Sequence, residues 1–200
     1  MSAQAMISPG FSDPVFQSQT AFRALLSALS EPGMLQRVVA EITPPEGLDI
    51  ATATALLTLA DYETPVWLPE ALRDGPAGAW LRFHCGAALV DDPAEAAFAV
   101  IDSAADGPKL AAFNPGNDQF PDRSTTVFVQ CAALDGGAGF SLSGPGILGS
   151  RLIAPQGLRP GFTGELSENS ALYPLGVDVV FAHGDSLIGL PRSTQIEEPR

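Results

Sequence analysis

Lysine is almost missing from this sequence, since Lys109 is the only one among 200 residues. An enzyme that uses pyridoxal phosphate needs a lysine to form a Schiff base with the cofactor. Lys109 follows Gly-Pro in a segment that the sequence predicts to be a surface loop, where a lysine is normally solvated. We therefore expect no pyridoxal phosphate, and no other cofactor, in this chain.

Positive charge as a whole is scarce. Ten Lys and Arg residues stand against 23 Asp and Glu, for a formal net charge of -13. Such a field repels nucleic acid and anionic lipid, so neither is expected as a partner. Charged residues make up only 16% of the chain, against about 25% in typical domains. This low charge density favours a subunit, and most simply a homodimer, over a lone monomer.

Cysteine and histidine are also rare, at two residues each. Two cysteines, Cys85 and Cys131, are too few for a disulfide framework, and no close histidine spacing predicts a metal site. No apolar run approaches about 18 residues, the length that crosses a membrane. The first 16 residues lack the basic and apolar regions of a signal peptide. We therefore expect a cytoplasmic protein with two buried, reduced thiols.

The strongest motif present is the glycine pattern within FSLSGPGILGSRLIAP, formed by Gly144, Gly146 and Gly149. Its G-x-G-x-x-G spacing is that of a dinucleotide-binding loop, which needs a helix directly after it. Pro155 arrives too early for such a helix, and Pro145 has no N–H to give a phosphate. We interpret the three glycines as a structural turn with positive φ angles. The phosphate-loop and nucleophile-elbow motifs do not occur either.

Helices and strands alternate early in the chain, and hairpins dominate late. Asp13-Pro14 predicts a helix start, Pro32-Gly33 its end, and the spacing of Phe22, Leu25, Leu26 and Leu29 gives it one apolar face. Asp49 opens a second helix, and Asp92-Pro93 a short one. Strands are predicted for MLQRVVAEI, TPVWL, WLRFHC and FAVID. TTVFVQCAAL with GFSLS, and VDVVFA with LIGLP, predict two hairpins. Residues 156–171 are predicted to be irregular and briefly helical.

These elements predict one α/β domain over residues 1–200, with three α/β/α layers around a mixed sheet. Residues 1–12 and 194–200 are expected to be flexible, and residues 104–124 to form a long loop. The predicted WLRFHC strand places Arg82 and His84 on one face. With Arg151 and Arg192 they are the candidate ligand-binding residues, for an anion such as a phosphonate or a nucleotide. The alternative is that the Arg82 and His84 face is solvated or covered by another subunit.

Eight stretches in order resemble one known family: FRALLSALSEPG, LLTLADYETPVWL, LRFHCGAALV, FAVID, LSGPGI, RLIAPQ, YPLGVDVVF and LPRST. Together they resemble the H subunit of the carbon–phosphorus lyase core complex, over residues 16–196. The loop of residues 104–124 is the least similar part. The resemblance implies a fold similar to the large domain of pyridoxal phosphate-dependent transferases, without their cofactor site.

The resemblance also implies a function in phosphonate catabolism. With G, I and L companion subunits, the family supports attachment of methylphosphonate to the ribose of ATP, giving ribose 1-methylphosphonate 5-triphosphate. A radical iron–sulfur subunit, J, acts later. Two hypotheses follow for this chain: a largely non-catalytic subunit that completes a site on a partner, or an enzyme or binding protein in its own right. No catalytic residue is predicted.

Overall fold

A computed structural model describes residues 7–105 and 107–197. The α-helices in these ranges are α1 (Pro14–Ser30), α2 (Ile50–Leu59), α3 (Glu70–Arg73), α4 (Pro76–Cys85) and α5 (Phe162–Ser170). The strands are β1 (Leu35–Arg37), β2 (Val66–Trp67), β3 (Leu89–Val90), β4 (Phe98–Asp102), β5 (Thr126–Gln130), β6 (Phe140–Ser143), β7 (Arg151–Ile153), β8 (Asp178–His183), β9 (Ser186–Leu190) and β10 (Gln195–Glu197). Single 3-10 turns lie at Pro93–Glu95, Leu110–Ala112 and Pro121–Arg123.

Seven strands form one mixed sheet in the order β1-β9-β8-β5-β4-β2-β3. Strands β2, β3, β4, β5 and β8 are parallel, whereas β9 runs antiparallel to both β8 and β1. In the centre of the sheet, Phe128 pairs with Val100 on one side and with Val180 on the other. Strands β10, β6 and β7 form a second, antiparallel sheet. The prediction of an α/β fold with a mixed sheet is confirmed.

The two faces of the large sheet are covered differently, because successive strand residues point to opposite sides. Val100, Phe128 and Val180 share one buried core with α1, α2 and α4. Ile101 and Val129 belong to a second core, on the other face, with α5 and the small sheet. That second layer is therefore part helix and part sheet, where the sequence predicted helices.

Helix α1 starts as predicted, but its apolar residues do not share one environment. The Asp13 carboxylate caps the helix by accepting a hydrogen bond from the N–H of Phe16 at 3.1 Å. Leu25 is buried, whereas Phe22 and Leu26 are 49% and 57% exposed. Small alanines complete the buried stripe and let α1 lie close to β9. The helix therefore presents apolar side chains on its outer surface as well as on its inner one.

The prediction of a strand at WLRFHC is wrong, because these residues lie in α4. Pro76 occupies the first turn, and Gly86 ends the helix with a φ of +65°. The buried residues Ala77, Trp80 and Leu81 follow helical spacing toward the first core. The strand was predicted from the alternation of six residues alone, without the helix start at Pro76 and the helix end at Gly86.

The hairpin predicted from TTVFVQCAAL and GFSLS is also wrong, since β5 and β6 lie in different sheets. The β8–β9 hairpin is confirmed, with His183 paired to Ser186 across the turn. In the C-terminal segment expected to be flexible, Gln195–Glu197 form β10 against β6, and residues 198–200 lie outside the described ranges.

The predicted long loop contains two of the 3-10 turns, and its residues Leu110 and Phe113 are buried.

The N-terminal segment, residues 1–12, was expected to be flexible. Residues 1–6 lie outside the described ranges. Ser8 is tied to α4, because its carbonyl accepts a hydrogen bond from the Trp80 indole at 2.9 Å. Among the helices described here, none has the length and hydropathy needed to cross a membrane.

Candidate functional site

Three of the four candidate ligand-binding residues, His84, Arg151 and Arg192, have hydrogen-bond partners within the chain. Arg82 is exposed on α4, and on a helix it lies on a different side from His84, two residues further on. The Nε2 atom of His84 lies 3.0 Å from the carbonyl oxygen of Ser8. Because that oxygen can only accept, His84 donates from Nε2. Arg82 and His84 therefore do not share a face as predicted.

Arg151 and Arg192 hold chain segments together. Arg151 donates to the carbonyl of Pro32, just after α1. Arg192 forms an ion pair with Asp178 at 2.9 Å and also donates to the carbonyl of Pro121. Both guanidinium groups thus have partners within the chain, which leaves them less available to an anion.

The glycine motif connects β6 to β7, so a strand follows it and not a helix. Gly144, Gly146 and Gly149 have φ angles of +127°, +80° and +73°. A Cβ atom on Gly146 would lie 2.3 Å from the carbonyl oxygen of Ser30, at the end of α1. The local geometry is that of a tight turn packed against a helix end.

A group of polar side chains that the sequence analysis did not single out lies at the carboxyl edge of the parallel strands. Asp102, Gln130 and His183 are the last residues of β4, β5 and β8. Each ends a run of buried apolar residues, and this is the only signal of the group in the sequence. Ligands of open α/β sheets bind at this edge, so we take it as the candidate functional site.

Gln130 ties the N-terminus of α2 to this edge. Its amide oxygen accepts from the N–H of Asp49 at 2.7 Å, and its amide nitrogen donates to the carbonyl of Gly47 at 2.8 Å. Burial raises the pKa of the Asp49 carboxyl, while nearby His183 and the N–H of Gly184 oppose that shift. The Nδ1 atom of His183 lies 3.0 Å from the carbonyl of Cys131 and donates to it. Among the described residues, Nε2 of His183 has no hydrogen-bond partner.

Neither cysteine is prepared for nucleophilic chemistry. Both are free thiols; Cys131 is buried as expected, whereas Cys85 is only half-buried. Burial raises the pKa of Cys85 to about 11 and that of Cys131 to about 12. Because the thiolate is the reactive form, both side chains stay protonated and inert near neutral pH. Within the described ranges, no cluster of three His, Cys, Asp or Glu residues could hold a metal ion.

A cleft opens at this edge between β2 and β4, which are neighbours in the sheet. The chain leaving β2 passes through α3 into α4, on the face of the first core, whereas the chain leaving β4 packs Leu110 and Phe113 into the second core. Where two adjacent strands send their connections to opposite faces, a crevice forms outside their carboxyl ends. The cleft has a volume of about 440 Å³. We call it the switch-point cleft; its lining includes Trp67, Glu70, Leu72, Ile101, Asp102, Gln130 and Arg159.

Arg159 is the one cation of this lining, and its charge is already balanced. Its Nη2 atom lies 3.0 Å from the Glu165 carboxylate, and the two side chains are only 10% and 11% exposed. Its Nη1 atom is buried without a hydrogen-bond partner among the described residues. Glu70 and Asp102 are exposed carboxylates that form no ion pair with any described residue. The switch-point cleft is therefore net negative.

Comparison with known proteins adds what the geometry alone does not give. Residues 9–197 match the family described as "Bacterial phosphonate metabolism protein (PhnH)". The "Alpha-D-ribose 1-methylphosphonate 5-triphosphate synthase subunit PhnH" of Rhizobium meliloti (strain 1021) is 39% identical over 198 residues, 98% of this chain and 99% of that protein. The "Putative C-P lyase subunit protein HtxG" of Stutzerimonas stutzeri is 31% identical over 182 residues, 90% and 86% of the two chains. The resemblance found in the sequence is confirmed, and the chain belongs to the PhnH family of bacterial phosphonate metabolism proteins.

Proposed function

We propose that this chain is a subunit of the carbon–phosphorus lyase system and supports formation of ribose 1-methylphosphonate 5-triphosphate from ATP and methylphosphonate. The observation that carries the proposal is the similarity over nearly the whole length to a protein named as a subunit of that synthase. Within the complex, the chain completes or shapes a site on a partner and does not catalyse the transfer alone.

The contacts that the cationic side chains make within their own chain support this non-catalytic role. A protein that binds a phosphonate or a triphosphate by itself needs several converging cations. Here His84, Arg151 and Arg192 bind backbone carbonyls or a carboxylate of their own chain, and Arg159 is paired with Glu165. The alternative of a stand-alone enzyme or anion-binding protein would require these contacts to break.

The mixed sheet also agrees with the proposed relationship to the large domain of pyridoxal phosphate-dependent transferases. Lys109 is exposed just before the 3-10 turn Leu110–Ala112, a position typical of a solvated lysine. We keep the prediction that the chain carries no pyridoxal phosphate, FAD or NAD. An absorbance band of bound pyridoxal or flavin, or co-purifying NAD, would contradict it.

We also propose that the chain acts in the cytoplasm, dimerises when isolated, and joins the G, I and J subunits in the cell. The outer surface of α1 supports a protein partner. Val15, Phe16, Phe22 and Leu26 are all at least 49% exposed there. Where exposed apolar side chains form a contiguous patch, that patch marks an interaction site.

A complementation experiment tests the proposed function. The chain is expressed in a strain that lacks its own H subunit, with methylphosphonate as the only phosphorus source. We expect growth, and we expect extracts to form ribose 1-methylphosphonate 5-triphosphate from ATP and methylphosphonate only when the chain and the companion subunits are both present. Product formation by the purified chain alone would favour the stand-alone alternative, and failure to restore growth with normal expression would contradict the subunit role.

A further inference from the structure

We infer that the switch-point cleft binds the amine-bearing base of a nucleoside and leaves any phosphate groups outside. The inference rests on the proposed function only in taking the ligand to be a nucleoside and not another amine-bearing heterocycle. The class of ligand follows from the size, the fixed walls and the charge of the cleft.

Size and walls fit a planar ring. A volume of about 440 Å³ lies within the range of small-molecule sites, roughly 300–1,000 Å³. Trp67 forms one wall and is fixed in place: its Nε1 donates to the carbonyl of Asp91 at 3.2 Å, and its ring meets Phe113 edge-on at 5.7 Å. Leu72 and Ile101 add apolar surface. A rigid aromatic wall beside apolar side chains favours an aromatic ligand.

Charge excludes an anion from the interior of the cleft. Glu70 and Asp102 carry uncompensated negative charge, and Arg159 is neutralised by Glu165. A triphosphate or a phosphonate placed here would meet like charges at short range. The same carboxylates are strong acceptors for the N–H groups of an exocyclic amine.

The buried guanidinium of Arg159 is a hydrogen-bond donor, so it requires an acceptor on the ligand. Nη1 of Arg159 has no partner among the described residues, and leaving a buried donor unsatisfied is costly. Nη1 is shielded from solvent, so a small shift of Arg159, which lines the cleft, would bring this donor to an acceptor on the ligand. Aminopurines and aminopyrimidines combine an exocyclic amine with adjacent ring nitrogens or a carbonyl, so one flat ring meets both requirements.

Calorimetric titration of the isolated chain with adenosine tests the inference. We expect adenosine to bind with a Kd between micromolar and millimolar, and ATP to bind no more tightly, since its phosphates gain nothing in the acidic cleft. Inosine, which has an oxo group in place of the amine, should bind at least about tenfold more weakly. Tryptophan emission should change on adenosine addition, and Trp67→Phe should abolish that change.

Two matched variants locate the contact. Asp102→Asn keeps an acceptor for the N–H of Ala104 and removes the charge, so adenosine affinity should fall about tenfold. Asp118→Asn, at an exposed aspartate outside the cleft lining, should leave affinity unchanged. If Asp102→Asn lowers the melting temperature, Glu70→Gln takes its place, with the same expected loss.

Several results would overturn the inference: no adenosine binding at millimolar concentration, equal affinity for inosine, tighter binding of ATP or methylphosphonate than of adenosine, or no difference between the Asp102 and Asp118 variants. Binding of N-acetyl-arginine amide without adenosine binding would assign the cleft to a basic side chain of a partner instead. The titration needs no companion subunit, so its failure is distinguishable from a failure of complementation.

Discussion

Replacing Gly146 with alanine should destabilise the protein more than the same change at Gly149. Both glycines have φ angles near +75°, at +80° and +73°. A non-glycine residue in this conformation costs about 1–2 kcal/mol. A Cβ atom on Gly149 would meet nothing within 4 Å, whereas on Gly146 it would lie 2.3 Å from the carbonyl oxygen of Ser30 and 2.8 Å from Cδ of Pro32. Relieving that overlap costs roughly another 1–3 kcal/mol.

Gly149→Ala is thus the control for conformational strain alone. We expect it to lose about 1–2 kcal/mol and Gly146→Ala about 2–5 kcal/mol. For a chain of this length, each kcal/mol lowers the melting temperature by about 2–4 °C. Thermal unfolding and urea titration, followed by circular dichroism, measure both variants. Equal losses would show that the contact with the end of α1 does not matter. Unchanged stability with lost ligand binding would show that the turn is a binding loop.

Three further predictions concern an ion pair, the thiols and association. Asp178→Asn should lower the free energy of unfolding, measured by urea titration, by about 1–3 kcal/mol. It breaks the ion pair with Arg192, whose two side chains are only 16% and 19% exposed. The control Asp185→Asn, in the exposed pair with Arg37, should change stability little, and equal effects of the two variants would refute the argument from burial. Cys85 and Cys131 should not react with a disulfide reagent at pH 8 until the chain unfolds. Because their pKa values are raised to about 11 and about 12, unfolded thiols ionise first, so stability should fall as the pH rises above about 9; a flat profile there would contradict burial of the thiols. Finally, a homodimer held by apolar surface between copies of charge -13 should strengthen, or at least not weaken, with added salt; light scattering would contradict this by finding a monomer at all salt concentrations or a dimer that salt dissociates.

The sequence predicts best the elements whose signals are local. FAVID reads as a strand because a short apolar run without helical spacing is typical of a buried parallel strand, and the β8–β9 hairpin follows from its turn residues. The prediction of a strand at WLRFHC was wrong because a six-residue alternation also fits a helix. The residues that mark the start and end of this helix, Pro76 and Gly86, lie outside the six. GFSLS was correctly read as a strand, but turn chemistry does not say which strand it pairs with.

The candidate site could not be predicted for a related reason. Asp102 and Gln130 are visible in the sequence as polar ends of apolar runs. That they lie side by side depends on the order of strands in the sheet, which long-range packing decides. The switch-point cleft depends further on which face each connection covers. The candidate ligand-binding residues, by contrast, were chosen from the sequence for their residue type alone. In the structure, His84, Arg151 and Arg192 instead link separate segments of the chain.

The contact of β9 with α1 and β1 has a consequence for synthesis. Helix α1 and strand β1 both lie on β9, which is synthesised much later than either of them. The contact is close: a Cβ atom on Gly189 would lie 2.5 Å from the carbonyl oxygen of Ala28, and the N–H of Gly33 donates to the carbonyl of Gly189 at 3.1 Å. A nascent chain therefore cannot complete this sheet until β9 has left the ribosome. Until then α1 can contact α2 and β1 but lacks its contact with β9, so a product truncated before residue 186 would aggregate or be degraded by cellular proteases.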